Sequence, residues 1–173
     1  MSLSIWSAEV GTTFEGRVRD LSLDRILAFS GGFFSEPNWP HKNLHTDVDK
    51  AHEAGLPDMI ASGNQSVGIL VALLMRLFGE TWLHHGSLDM KIVSSVYVGD
   101  TVQARATLKE RREGKEAVEF VLDAWCENQH GATVVVGTVT CRVSTRTVSE
   151  TEHEGGSRLT AEDHPPVDLS PTV

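Results

Sequence analysis

The sequence predicts an α+β domain in which one long, mostly apolar helix is wrapped by a curved antiparallel sheet, with short helices ahead of it. Three observations carry this. From Val67 to Phe78 only Gly68, Ala72 and Arg76 interrupt large apolar residues, and a helix apolar around most of its circumference has to be enclosed by other structure. From Ser87 onward the apolar period falls to two, the mark of half-buried strands. Gly99-Asp100, Glu113-Gly114-Lys115 and Gln129-His130-Gly131 then cut the second half into strands joined by short turns, which favours antiparallel pairing.

Taken in order, Thr12–Val18 alternates weakly and reads as a first, partly exposed strand. Leu21–Phe29 reads as a short amphipathic helix, capped by Ser22 and stopped at Gly31-Gly32 through a left-handed residue. Phe33–His41 has no periodicity; Pro37, Pro40 and the rings of Phe33, Phe34 and Trp39 suggest an ordered loop. Thr46 or Asp47 starts another short helix that runs through His52 to Gly55. The central helix starts near Ser62 or Asn64, either of which can cap it, and ends at Gly79. Strands are expected over Ser87–Val98, Thr101–Glu110, Ala117–Glu127 and Ala132–Arg146. The ordered domain spans 1–146. Residues 147–173 are acidic, rich in Gly, Ser and Pro and poor in large apolar residues, so they are expected to form a tail. A long helix wrapped by such a sheet is the hot-dog layout.

Composition narrows the function classes. With 173 residues and 40% hydrophobic content, one domain with a sizeable core is expected. A formal net charge of −9 disfavours nucleic acid and anionic membranes as partners. No apolar run reaches the roughly 20 residues of a membrane span, and with no charged-then-apolar stretch at the opening, no secretory leader is expected. Cys126 and Cys141 are too far apart for a CxxC motif and too few for a disulfide framework, so both read as buried thiols. The cytoplasm is the expected compartment.

The polar approach Asn38-Trp-Pro-His-Lys-Asn-Leu-His-Thr-Asp47 precedes the central helix. The unpaired N–H groups of Ser62 to Gln65 are expected to point from the helix start toward His45, an arrangement suited to holding an oxyanion beside a proton donor. Asp47 reads first as a helix N-cap and second as a carboxylate partner for His45. Ser62 and Asn64 are caps that can also bond a substrate carbonyl, and Trp39 either gates or anchors its loop. His41 and His45 lie four apart and His84 and His85 are adjacent, but adjacent strand residues face opposite sides and no zinc-type spacing occurs. No metal is expected.

Ile60-Ala-Ser-Gly, Tyr97-Val-Gly-Asp-Thr-Val102 and Asn128-Gln-His-Gly-Ala-Thr-Val-Val-Val-Gly137, with Leu44-His-Thr-Asp47 upstream, resemble the MaoC-like dehydratase and (R)-specific enoyl-CoA hydratase family over roughly Gly11–Val143. The resemblance implies a hot-dog homodimer acting on acyl thioesters of coenzyme A or acyl carrier protein, with no separate cofactor. It implies a catalytic histidine matching His45 and a helix-start N–H matching Gly63 that holds the thioester carbonyl. Asn43 and Trp39 join Ser62, Gly63 and Asn64 as candidate substrate contacts.

The chain departs from the family's usual aspartate-to-histidine spacing. Pro40 stands five residues before His45, Lys42 takes the usual asparagine's place and Asn43 the proline's. Ser30-Gly-Gly32 resembles the family's Ser-Gly-Asp, which puts Gly32 at the aspartate. Glu36, between Pro40 and that glycine pair, is the expected replacement carboxylate, shielded by Phe33, Phe34 and Trp39. A hydratase or dehydratase is the leading expectation, and Lys42 and Arg76 allow an anionic acyl group. A hot-dog thioesterase and a catalytically silent acyl-thioester-binding protein are the alternatives.

Overall fold

The computed structural model describes residues 4–145. The expected tail at 147–173 lies outside the described residues. After a 3₁₀ turn at Ile5–Ser7 come β1 (Thr13–Glu15), β2 (Arg19–Asp20), α1 (Leu23–Ser30) and α2 (Val48–Glu53). The central helix α3 (Gly63–Phe78) is followed by α4 (Thr81–His85), then by β3 (Gly86–Ile92), β4 (Thr101–Glu113), β5 (Ala117–Asn128) and β6 (Thr133–Ser144). The sheet has the order β1-β4-β5-β6-β3, all antiparallel, with β2 also on β4.

The sheet closes on α3 because its inner face is both apolar and narrow. On β4 every second residue, Val102, Ala104, Ala106 and Leu108, is buried, and two of these are alanines that let the helix come near. Phe120, Leu122, Ala124 and Cys126 of β5 and Val134, Val135, Val139 and Cys141 of β6 complete the concave wall against Leu70, Leu73, Leu74 and Phe78. Register shifts at Leu108/Glu110 and at Cys126/Glu127 bend the long strands. Gly137 of β6 is paired with Met90 of β3, and a Cβ there would sit 1.9 Å from the Asp89 carbonyl oxygen.

The three small or charged interruptions of the central helix share one face. Gly68, Ala72 and Arg76, spaced by four, are all exposed, while Leu70, Leu73, Leu74 and Phe78 face the sheet, so the helix is enclosed on one side only. Several boundaries also shift. The first expected strand is broken at Gly16, whose N–H goes to the Ala104 carbonyl at 2.7 Å. Ser22 stands at the cap of α1 without a side-chain hydrogen bond, and the left-handed residue expected of the Gly31-Gly32 pair is Gly32 (φ 84°). The strand expected to reach Val98 ends at Ile92: the N–H groups of Val93 and Ser94 both turn to the Val134 carbonyl, and the chain leaves the sheet. His84 and His85 end α4 instead of lying on a strand.

Candidate active site

His45 sits in a tight turn between α1 and α2, and Asn43 holds that turn together. The Asn43 side-chain oxygen accepts the His45 N–H at 2.8 Å, and its amide nitrogen donates to the Ser30 and His41 carbonyls at 2.9 and 3.3 Å. The Asn43 carbonyl in turn accepts from Thr46 and Asp47, each at 3.0 Å. Placement of His45 thus depends on a side chain two residues before it.

The ring is fixed from the other side of the site. Nδ1 of His45 lies 2.8 Å from the Ile60 carbonyl oxygen. A carbonyl only accepts, so Nδ1 carries the proton, and in the neutral ring the lone pair is on Nε2. Ile60 is held by a bridge to Tyr97, and Ala61 N–H donates to the Val96 carbonyl at 2.7 Å. Asp100 fixes that turn by accepting the Tyr97 N–H at 2.8 Å. Gln129, from the β5–β6 hairpin, donates to Asp100 at 2.5 Å and accepts the Thr101 N–H at 2.9 Å. The three separate motifs around Ile60, Tyr97 and Asn128 are therefore one connected support for His45.

His45, Ile60, Ala61, Gly63 and Ser66 share a cavity of about 280 Å³ with residues 92–96. Its floor is Ala61, Ser66 and Val96, at most 5% exposed. A Cβ on Gly63 would lie 2.2 Å from Ile92 Cδ1, so glycine lets the start of α3 approach the end of β3. The Gln65 N–H already donates to Ser62 at 2.8 Å. This leaves the Gly63 and Asn64 N–H groups at the helix start without intrahelical acceptors.

Only part of the expected site comes together. His45 and Gly63 line this cavity. Ser62 occupies the cap position without a side-chain cap bond, and Asn64 is exposed and outside the lining. Asn43 acts through the His45 backbone. Asp47 caps α2 by accepting the Lys50 N–H at 3.1 Å and pairs with Lys42 at 2.7 Å. The Lys42 hydrogen bond, with the Lys50 N–H second, holds the Asp47 carboxyl below its ordinary range. Glu36 pairs with His41 Nε2 and does not line the His45 cavity. The rings expected to shield it are elsewhere: Phe33 and Phe34 are 75% and 69% exposed, and Phe34 packs on Trp39 with centroids 4.7 Å apart. Trp39 lines a different cavity, with His41, Lys42 and Asp47. Lys42 is taken by Asp47, Arg76 donates to the Glu15 carbonyl, and neither lines the His45 cavity. Ser66 went unnoticed in the sequence because a lone serine in an apolar helix carries no pattern.

The family model of the MaoC like domain matches residues 40–128, from Pro40 through His45 and the helix start to the end of β5. The chain belongs to the MaoC-like family. A MaoC-like dehydratase from Rhodospirillum rubrum is similar at 20% identity and a TM-score of 0.66, covering 84% of this chain and 99% of that one. The (R)-hydratase from A. caviae involved in PHA biosynthesis is similar at 22% identity and 0.62, covering 79% and 98%. The R-hydratase PhaJ1 from Pseudomonas aeruginosa is similar at 16% and 0.59, covering 87% and 95%. These likenesses agree with the hot-dog arrangement of helix and sheet. A search of curated proteins finds no match. As a MaoC-like protein the chain falls in the hot-dog superfamily of acyl-thioester hydratases and dehydratases. Among the described residues no helix is long and apolar enough to cross a membrane.

Proposed function

We propose that this MaoC-like protein adds water to, or removes it from, the acyl group of a thioester, with His45 as the group that moves the proton. The observation that carries this is the Nδ1 bond of His45 to the Ile60 carbonyl, which leaves Nε2 with a lone pair in a cavity shared with the start of α3. In the hydration direction Nε2 takes a proton from water as the water oxygen bonds to C3 of an α,β-unsaturated acyl thioester. The C2=C3 electron pair moves toward the thioester carbonyl, whose oxygen the Gly63 N–H stabilises. Return of the proton from Nε2 to C2 completes the addition, and dehydration is the reverse. The acyl carrier is coenzyme A or an acyl carrier protein.

The assembly that fits is a homodimer. β3 is an edge strand, and Ile92 and Val93 at its end are 57% and 53% exposed, with Val136 on the neighbouring β6 42% exposed; a second copy would pair the strand and cover these side chains. Sedimentation at micromolar concentration is expected to give a dimer, and a monodisperse monomer counts against it.

The test of function is a panel of enoyl-CoA substrates read by loss of enoyl absorbance and by thiol release. Hydration removes the absorbance and keeps the thioester, whereas a thioesterase releases thiol. His45→Ala is expected to keep its fold and lower turnover by on the order of a hundredfold or more. Full activity in that variant removes His45 from the reaction.

A further inference from the structure

We propose that the Ser66 hydroxyl is a substrate contact that holds the oxygen on C3 of the acyl group, the oxygen that hydration adds and dehydration removes. This rests on the reading of the site as a hydratase or dehydratase. Ser66 is the one polar residue of the buried core among the described residues, 2% exposed, and it lines the His45 cavity. A serine within a helix ordinarily turns its hydroxyl back to the carbonyl four residues earlier. Outside the helix ladder, the bond that Ser66 makes among the described residues is at its backbone carbonyl, with Cys126 Sγ behind it at 3.4 Å. The Ser66 hydroxyl is not one of the fully closed-off, unpartnered side-chain atoms, which are Ser30 Oγ, Trp39 Nε1 and Gln65 Oε1. A hydroxyl on a residue this enclosed that lines a cavity is poised for a ligand oxygen.

The position along the helix says which oxygen. Gly63 and Ser66 are three residues apart, so they share a face and are offset by about 4.5 Å along the axis. With the thioester carbonyl at the Gly63 N–H, Ser66 faces the acyl group beyond it, at the span expected of a C3 substituent. No Asp or Glu lines this cavity among the described residues: Asp47 is bound to Lys42 and the α2 cap, and Glu36 to His41. A hydroxyl that donates to or accepts from water then takes over the positioning of that water, while Nε2 of His45 moves the proton. No proton leaves or joins Ser66 in the net reaction.

The ligand pair that tests this is 3-hydroxybutyryl-CoA and butyryl-CoA, which differ by one oxygen on C3. Titration calorimetry on the full chain is expected to show the hydroxylated ligand bound at least tenfold more tightly. In Ser66→Ala the two are expected to bind alike, at the affinity of butyryl-CoA for the wild type, with the thermal midpoint unchanged or raised. Hydration of crotonyl-CoA by that variant is expected to fall about tenfold or more in kcat with KM within about threefold, and Ser66→Thr, which keeps a hydroxyl, to recover part of the tenfold preference. A preference that survives Ser66→Ala, or an equal weakening of both ligands, overturns the assignment. So does a wild type that binds both ligands equally, and that result leaves the hydratase reading standing. A wild type that binds neither overturns both.

Discussion

Removing Asp100 tests whether His45 is positioned from a distance. Asp100→Ala deletes two hydrogen bonds, from the Tyr97 N–H at 2.8 Å and from Gln129 at 2.5 Å. Bonds to a carboxylate contribute about 1.5–3 kcal/mol each. Asp100 is half-buried, so the lower end applies and the pair of bonds should amount to about 2–3 kcal/mol. For a domain of this size that lowers the thermal midpoint by about 4–12 °C. The second effect is on the ring. Freed from Asp100, Tyr97 no longer fixes Ile60, and the carbonyl that accepts the His45 Nδ1 proton can drift; a displacement near 1 Å lowers turnover by about tenfold to a hundredfold. Urea melts and steady-state hydration of crotonyl-CoA measure the two effects. Asp100→Asn keeps an acceptor for the Tyr97 N–H and is expected to restore most of kcat. A folded Asp100→Ala protein with wild-type kcat would falsify the coupling, since Ile60 and His45 would then be held independently of this turn.

Further outcomes follow from single sites. Gly137→Ala puts a methyl group 1.9 Å from the Asp89 carbonyl oxygen, which the backbone cannot yield without losing β3–β6 bonds; circular dichroism melts should show a lower midpoint, and any dimer formed through β3 should weaken. Leu70→Ala, at a side chain with no exposure, is expected to cost about 2–5 kcal/mol in chemical denaturation. Burial pushes the thiol of Cys126 up to about 12 and that of Cys141 up to about 11, so neither should react with a maleimide at pH 8 until the chain is unfolded. Asp47 has its carboxyl lowered and Lys42 its ammonium raised, in each case first by their mutual hydrogen bond. The Asp47 contribution is therefore present above its unfolded value and lost as pH falls through the lower folded one, whereas that of Lys42 is present below its unfolded value and lost as pH rises through the higher folded one. Acid titration of Asp47→Asn, followed by fluorescence, should show a shallower loss of stability below about pH 4.

The architecture was legible because its two periods are strong and lie in different halves of the chain. The run from Val67 to Phe78 becomes α3, and the alternation from Thr101 becomes β4 with every second residue buried. Boundaries were less legible where tertiary bonds overrode the local pattern. Ser87–Val98 alternates well enough to extend a strand, yet Val93 and Ser94 are drawn to the Val134 carbonyl and the chain leaves to meet Ile60. Thr81–His85 gave no sign of helix, since two histidines and a tryptophan form no cap or stripe. The open side of α3 was written in the sequence as Gly68, Ala72 and Arg76, but only the structure shows that these interruptions form one exposed face.

The site divides along a different line. His45 and Gly63 stand beside local signals, a polar approach and a helix start, and the structure brings them to one cavity. Charge and place in the chain pointed to Glu36, and only in second place, after its helix cap, to Asp47, and charge is what the nearest cation satisfies: His41 and Lys42 are in reach before His45 is. A carboxylate near a histidine in sequence is therefore weak evidence of a dyad when another cation lies between them. What supports His45 instead is backbone: the Ile60 carbonyl, set by a bridge to Tyr97 and a turn closed by Asp100 and Gln129. Such a support leaves its trace as separate short motifs around Ile60, Tyr97 and Asn128, each weak alone. Their meaning depends on three segments meeting through main-chain atoms, which no spacing rule along the chain expresses. Ser66 is the limiting case: a single serine in an apolar helix, marked out only by its burial beside the His45 cavity.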